Sequence, residues 1–106
     1  MPSIHFICRG SLNVHVVKHP VYESGVWDVE NDAAQLVGGM MFLHEKKADR
    51  SYFGGRIESY RVVETDYARS RRVVFTVTSL PEGRGASWRG MAHGMAWTSG
   101  VVEDES

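Results

Sequence analysis

Five histidines, one cysteine and three tryptophans are the residues of this 106-residue chain whose types suit chemistry or recognition. His15 and His19 stand four apart, a spacing that converges on a helix but not on a period-two strand that runs into Pro20. His5, His44 and His93 are scattered, and no HExxH motif or Cys/His pairing at zinc spacing occurs, so no metal site is expected. Cys8 alone excludes an intrachain disulfide and a four-thiolate zinc site. It lies in the alternating run IHFICR, which places it as a buried, inert thiol. No nucleophile-elbow motif is present. The glycine-rich GRGASWRG lacks the strand-to-helix setting of a phosphate-binding loop or a dinucleotide fingerprint. Neither a catalytic residue nor a cofactor is assigned. His44 keeps three readings open: a ligand contact, a general acid or base, or a strand-end ring bonded to a carbonyl.

The elements that must position these residues centre on GGMMFLHEKKADRSYFGGRIESY, residues 38–60. Met40 to Leu43 is a short apolar run bounded by glycines and charges, as a buried strand reads. Gly54-Gly55 then releases the alternating RIESYRVVE, with Ile57, Ser59, Arg61 and Val63 on one face. TDYARS turns the chain into RRVVFTVT, whose Val73, Phe75 and Val77 face one way, so these two strands predict a hairpin. Gly54-Gly55 suits turn or bulge geometry better than close ligand approach. Upstream, Ile4 to Cys8 and Leu12 to Val17 predict an opening hairpin ended by Lys18-His19-Pro20. DVENDAAQLVGG reads as a short helix capped by Asp28 or Asn31, turning Val29, Ala33, Leu36 and Val37 inward and stopping at Gly38. Beyond Leu80 the regular period is lost in a loop rich in Gly, Trp and Met, and residues 96–102 read as a final edge strand closing a barrel.

Length and composition bound one domain, 1–102, with 103–106 as an acidic, disordered tail. With 42% hydrophobic and 24% charged residues the chain is an ordinary globular composition. Its formal net charge of -1 argues against coating nucleic acid by bulk charge. The charge is polarised, however. From His44 to Arg72 basic residues outnumber acidic ones by three, while the remainder carries an acidic excess of four. No apolar run reaches the ~18 residues of a membrane span, and no signal-peptide core opens the chain, so a cytoplasmic location is expected.

The order of hairpin, Trp-containing turn, short helix and Gly-Gly into MMFLHEKK, followed by YFGGRIESYRVV, resembles the PUA-like superfamily, especially its EVE and ASCH branches. The resemblance covers residues 3–80 and departs at Gly39, where those families usually place an acidic residue. It implies an α+β, mainly β fold, a small PUA-like β-barrel with one or two short helices. It further implies recognition of RNA or DNA, with a modified base or a nucleotide-like ligand held in an aromatic pocket. An unpaired base offers two π-faces and a hydrogen-bonding edge, and its backbone offers anions. Trp27, Tyr52, Phe53, Trp88 and Trp97 are the candidate walls and His44 the candidate polar group. Lys46, Lys47, Arg50 and Arg56 are the candidate phosphate contacts. Each has a plainer reading: Trp27 as a core anchor, Tyr52 and Phe53 as plugs at a barrel mouth, and the cations as a solvated loop. A partner protein docking on the aromatic Gly-rich segment is the alternative function, and an enzyme acting on a nucleotide-like molecule the third.

Overall fold

A computed structural model describes residues 2–8, 14–27, 30–46, 48–64, 71–89 and 98–103. Among these residues the apolar runs of the sequence become seven strands: β1 (Pro2–Ile7), β2 (Val14–Lys18), β3 (Val21–Trp27), β4 (Met40–His44), β5 (Phe53–Glu64), β6 (Arg71–Ser79) and β7 (Thr98–Glu103). Among the described residues one α-helix, α1 (Glu30–Leu36), lies between β3 and β4. The fold is therefore α+β and mainly β. The strands form one sheet in the order β2, β3, β6, β5, β4, β1, β7. All neighbours are antiparallel except β1 and β4.

The opening hairpin does not form. β1 pairs with β4 on one side and β7 on the other, while β2 pairs with β3 at the far edge of the sheet. Two alternating strands adjacent in sequence mimic a hairpin, but β1 is buried almost throughout and so needs a neighbour on both sides. The β5–β6 hairpin is as expected, with one correction. A bulge between Ile57 and Ser59 inserts Glu58 without a partner in the ladder. Beyond it Tyr60 and Val62, not Ser59 and Arg61, take the side of Phe75 and Val73.

One face of the sheet carries the core: Ile4, Phe6 and Cys8 from the β1 segment, Met41 and Leu43, Ile57, and Val73, Phe75 and Val77. Ala33 and Leu36 of α1 close over it, and the helix lies against β1, β5 and β6. α1 ends where expected, with Gly38 at a φ of 88°, a conformation in which a side chain would be strained. Two details differ. Asn31 lies inside the helix rather than at its cap, and Val37 is 43% exposed because it follows the last helical turn. Asp28 and Val29 lie outside the described residues.

The sheet coils strongly enough for Phe6 of β1 to stack on Trp27 of β3, at 4.1 Å between ring centroids, although three strands separate them in the ladder. Among the described residues the hydrogen-bond ladder keeps two ends, β2 and β7. The expected last strand is β7, but it pairs with β1 alone. Residues 104–106 lie outside the described residues. No helix among those described is long and apolar enough to cross a membrane.

Candidate functional site

Strand alternation sends Ile4 and Phe6 into the core and turns Ser3 and His5 to the opposite face. In β4 the same rule buries Met41 and Leu43 in the core and places Phe42 and His44 opposite. Parallel pairing then sets His5 beside Phe42, and Ile7 beside His44. The result is a contact that spacing alone does not reveal: His5 Nδ1 lies 2.8 Å from His44 Nε2, with both rings fully buried. The His5 ring stacks on Phe42 at 4.8 Å.

The protonation pattern of this pair follows from its partners. His44 Nδ1 lies 2.9 Å from the Asp49 carbonyl oxygen, which only accepts, so Nδ1 carries the hydrogen. Burial holds the His44 pKa below its ordinary value, and the Asp49 carbonyl and carboxylate only partly oppose this. The neutral ring therefore has a bare Nε2, and His5 Nδ1 must donate to it. The two imidazoles and the carbonyl form a one-way chain of hydrogen bonds. It can accept one proton without losing a link, whereas a second would set two N–H groups against each other.

The segment from Leu80 to Arg89 forms a flap beside this pair. Trp88 meets His44 edge-on, with centroids 5.2 Å apart, and His5 at 5.6 Å. Ser51 anchors the flap. Its hydroxyl donates to the Gly83 carbonyl at 2.7 Å and accepts from the Ala86 N–H at 2.9 Å. Its backbone exchanges further bonds with Gly85 and Ala86. Arg50 donates to the Gly85 carbonyl at 2.8 Å. Gly83 of the flap presses directly on Gly54 of β5: a Cβ on Gly54 would lie 2.6 Å from the Met41 carbonyl oxygen and 2.7 Å from that of Gly83. Close backbone approach, rather than positive φ, is thus what Gly54 supplies.

The candidate residues divide between the two faces of the sheet. His44 and Trp88 meet. Trp27, Tyr52 and Phe53 do not join them, because they pack on the core. Trp27 is stacked on Phe6 and donates from Nε1 to Ser24 Oγ, and the Tyr52 hydroxyl donates to the Cys8 carbonyl. These are the anchor and plug readings of those rings. Of the cations, Lys46 and Arg50 are exposed on the loop after β4. Arg56 is engaged on the sheet surface by Glu58, 3.0 Å away, which also accepts from Thr78 Oγ1 at 2.7 Å. Lys47 and Trp97 lie outside the described residues.

His5 and Ser51 were not among the sequence candidates. His5 alternates with Ile4 and Phe6, which marks it as facing away from them, but only the β1–β4 pairing reveals its partner. Ser51 carries no pattern signal at all. Among the described residues no group of three or more His, Cys, Asp or Glu could hold a metal ion, and Cys8 is a buried thiol outside any disulfide.

Compared with protein-family models, curated proteins and solved structures, the chain matches none.

Proposed function

We propose that the protein is a nucleic-acid or modified-nucleotide binding module of PUA-like architecture, with its contact surface on the flap from Leu80 to Arg89 and the adjoining loop after β4. One observation carries this reading. The half-buried Trp88 is held edge-on against His44, while Arg84 and Arg89 of the same flap, and Lys46 and Arg50 of the adjoining loop, are exposed. A partly open indole gives an unpaired base a stacking face, and the surrounding cations suit its phosphates. The buried histidine chain and the Ser51 anchor hold the indole in place, so less ordering remains to be done on binding. This is recognition rather than catalysis, and it suits a cytoplasmic protein whose Cys8 stays reduced.

Titration with single-stranded oligonucleotides, followed by tryptophan emission, tests it. Emission should change on binding, and Trp88→Phe should remove most of that change. The association constant should also fall with salt, with a log–log slope of about -0.7 for each phosphate contacted. Emission that stays flat, or binding indifferent to salt, would sink the reading. A partner-protein reading has its own support: the edge strand β2 exposes Val16 at 66% and Val17 at 58%. Association that is insensitive to salt and lost on Val16→Lys would favour it.

A further inference from the structure

A shallow groove of about 460 Å³ lies between the β2–β3 turn and the start of the flap, lined by His19, Pro20, Ser79, Leu80, Pro81 and Arg84. It shares Leu80, Pro81 and Arg84 with the flap, but His5, Phe42, His44 and Trp88 do not line it. Its size falls within the range of about 300–1,000 Å³ usual for small-molecule sites. The lining divides into two kinds. Pro20, Leu80 and Pro81 are apolar, while His19, Ser79 and Arg84 carry three hydrogen-bonding side chains. No carboxylate lines the groove.

The backbone there is already committed. The Ser79 N–H donates to the Pro20 carbonyl at 2.8 Å, which ties the two walls together, and the Leu80 and Arg84 N–H groups donate to Gly54 and Pro81. Recognition must therefore come from the side chains. Among the described residues, neither the Ser79 hydroxyl nor the Arg84 guanidinium makes a hydrogen bond or ion pair within the protein. His19 touches Tyr22 Oη through Nδ1 at 3.4 Å, and its Nε2 takes no part in that contact. A cation, a hydroxyl and an imidazole lining one groove offer three separate donors, which suits a tetrahedral anion better than a planar carboxylate that a single bidentate guanidinium satisfies. The apolar lining of Pro20, Leu80 and Pro81, in turn, suits an anion that carries a flat or apolar body.

We propose that this groove binds a phosphomonoester attached to a flat or apolar body, of which a nucleoside monophosphate is the simplest form. Arg84 is common to this groove and to the oligonucleotide surface, but His19 and Ser79 line the groove alone and Trp88 does not line it. The Ser79 shifts and the His19→Gln loss therefore test this inference, while Trp88 emission tests the oligonucleotide reading. The test titrates the full chain with adenosine 5′-monophosphate, adenosine and inorganic phosphate, following backbone amide and arginine side-chain signals by NMR. The monophosphate should bind more tightly than either fragment and shift the signals of Ser79, Leu80 and the Arg84 Nε–H. Arg84→Ala should weaken it about tenfold, the size of one charge-assisted hydrogen bond, and His19→Gln roughly threefold. Both positions are exposed, and matching amide spectra confirm that the variants fold. No binding, equal binding of inorganic phosphate and the monophosphate, or undiminished binding by Arg84→Ala would overturn the proposal.

Discussion

At the residue scale the decisive feature is a histidine pair whose hydrogens are fixed by a backbone carbonyl. Because that carbonyl can only accept, the folded protein should hold His44 as the Nδ1–H tautomer with His5 donating to it, a pattern that nitrogen-detected NMR of the rings reads directly. The same pair makes stability depend on pH with a definite sign. In the unfolded chain His44 takes up a proton near its ordinary value of 6.5, but burial lowers that pKa in the fold. The unfolded state thus binds more protons between the two values. Stability is full above about pH 6.5 and declines as pH falls from there toward the folded value. Urea unfolding at about pH 7.5 and about pH 5.5 should show the loss, and His44→Gln should remove His44's share of it; an unchanged slope would refute the assignment. Of the readings open for His44 in the sequence, the carbonyl-bonded ring is the one the geometry supports. Its tie to His5 could not be read, because period-two patterning fixes which way a side chain faces and not which strand lies next to it.

At the element scale the legible parts were those with strong local patterns. β4, β6, α1 and the β5–β6 hairpin follow from apolar alternation, glycine stops and helical spacing. The bulge at Glu58 was not legible, since one inserted residue leaves the alternation intact in sequence while reversing it in space. Gly54-Gly55 reads in the sequence as turn or bulge geometry, yet Gly54 lies within β5 and admits the flap. Gly54→Ala should therefore force the Met41 and Gly83 carbonyls apart, costing about 1–3 kcal/mol. The loss is measurable by chemical unfolding, and a change in Trp88 emission should accompany it as the flap lifts. A neutral substitution would mean that the flap is not seated on β5. On the sheet surface Glu58, its pKa lowered by hydrogen bonds from Thr78 and Arg56, gives the otherwise unpaired bulge residue a local role. Through it Arg56, a cation in a basic stretch, is held on the sheet surface by Glu58, and Thr78 anchors the same carboxylate.

At the scale of the whole molecule, the predominance of β-structure was apparent from the sequence, but the strand order was not. A sheet that begins at β2, ends at β7 and places β1 next to last contains one parallel pairing that no hairpin signal announces. Its coiling brings Phe6 onto Trp27, so this stack joins strands with no shared hydrogen bonds. Phe6→Ala should cost about 3–5 kcal/mol. The change should appear in both the unfolding midpoint and the near-ultraviolet dichroism of Trp27, whereas a loss below about 1 kcal/mol would mean that the core closes without that contact. The seating of β1 between β4 and β7 also bears on how the chain is made. A polypeptide emerging from the ribosome must wait for β4 before its first strand gains one neighbour, and for β7 before it gains the second. Until then the open edge of a strand carrying Ile4, Phe6 and Ile7 stays available to other nascent chains, so synthesis halted before β7 should yield aggregates rather than a truncated but soluble domain.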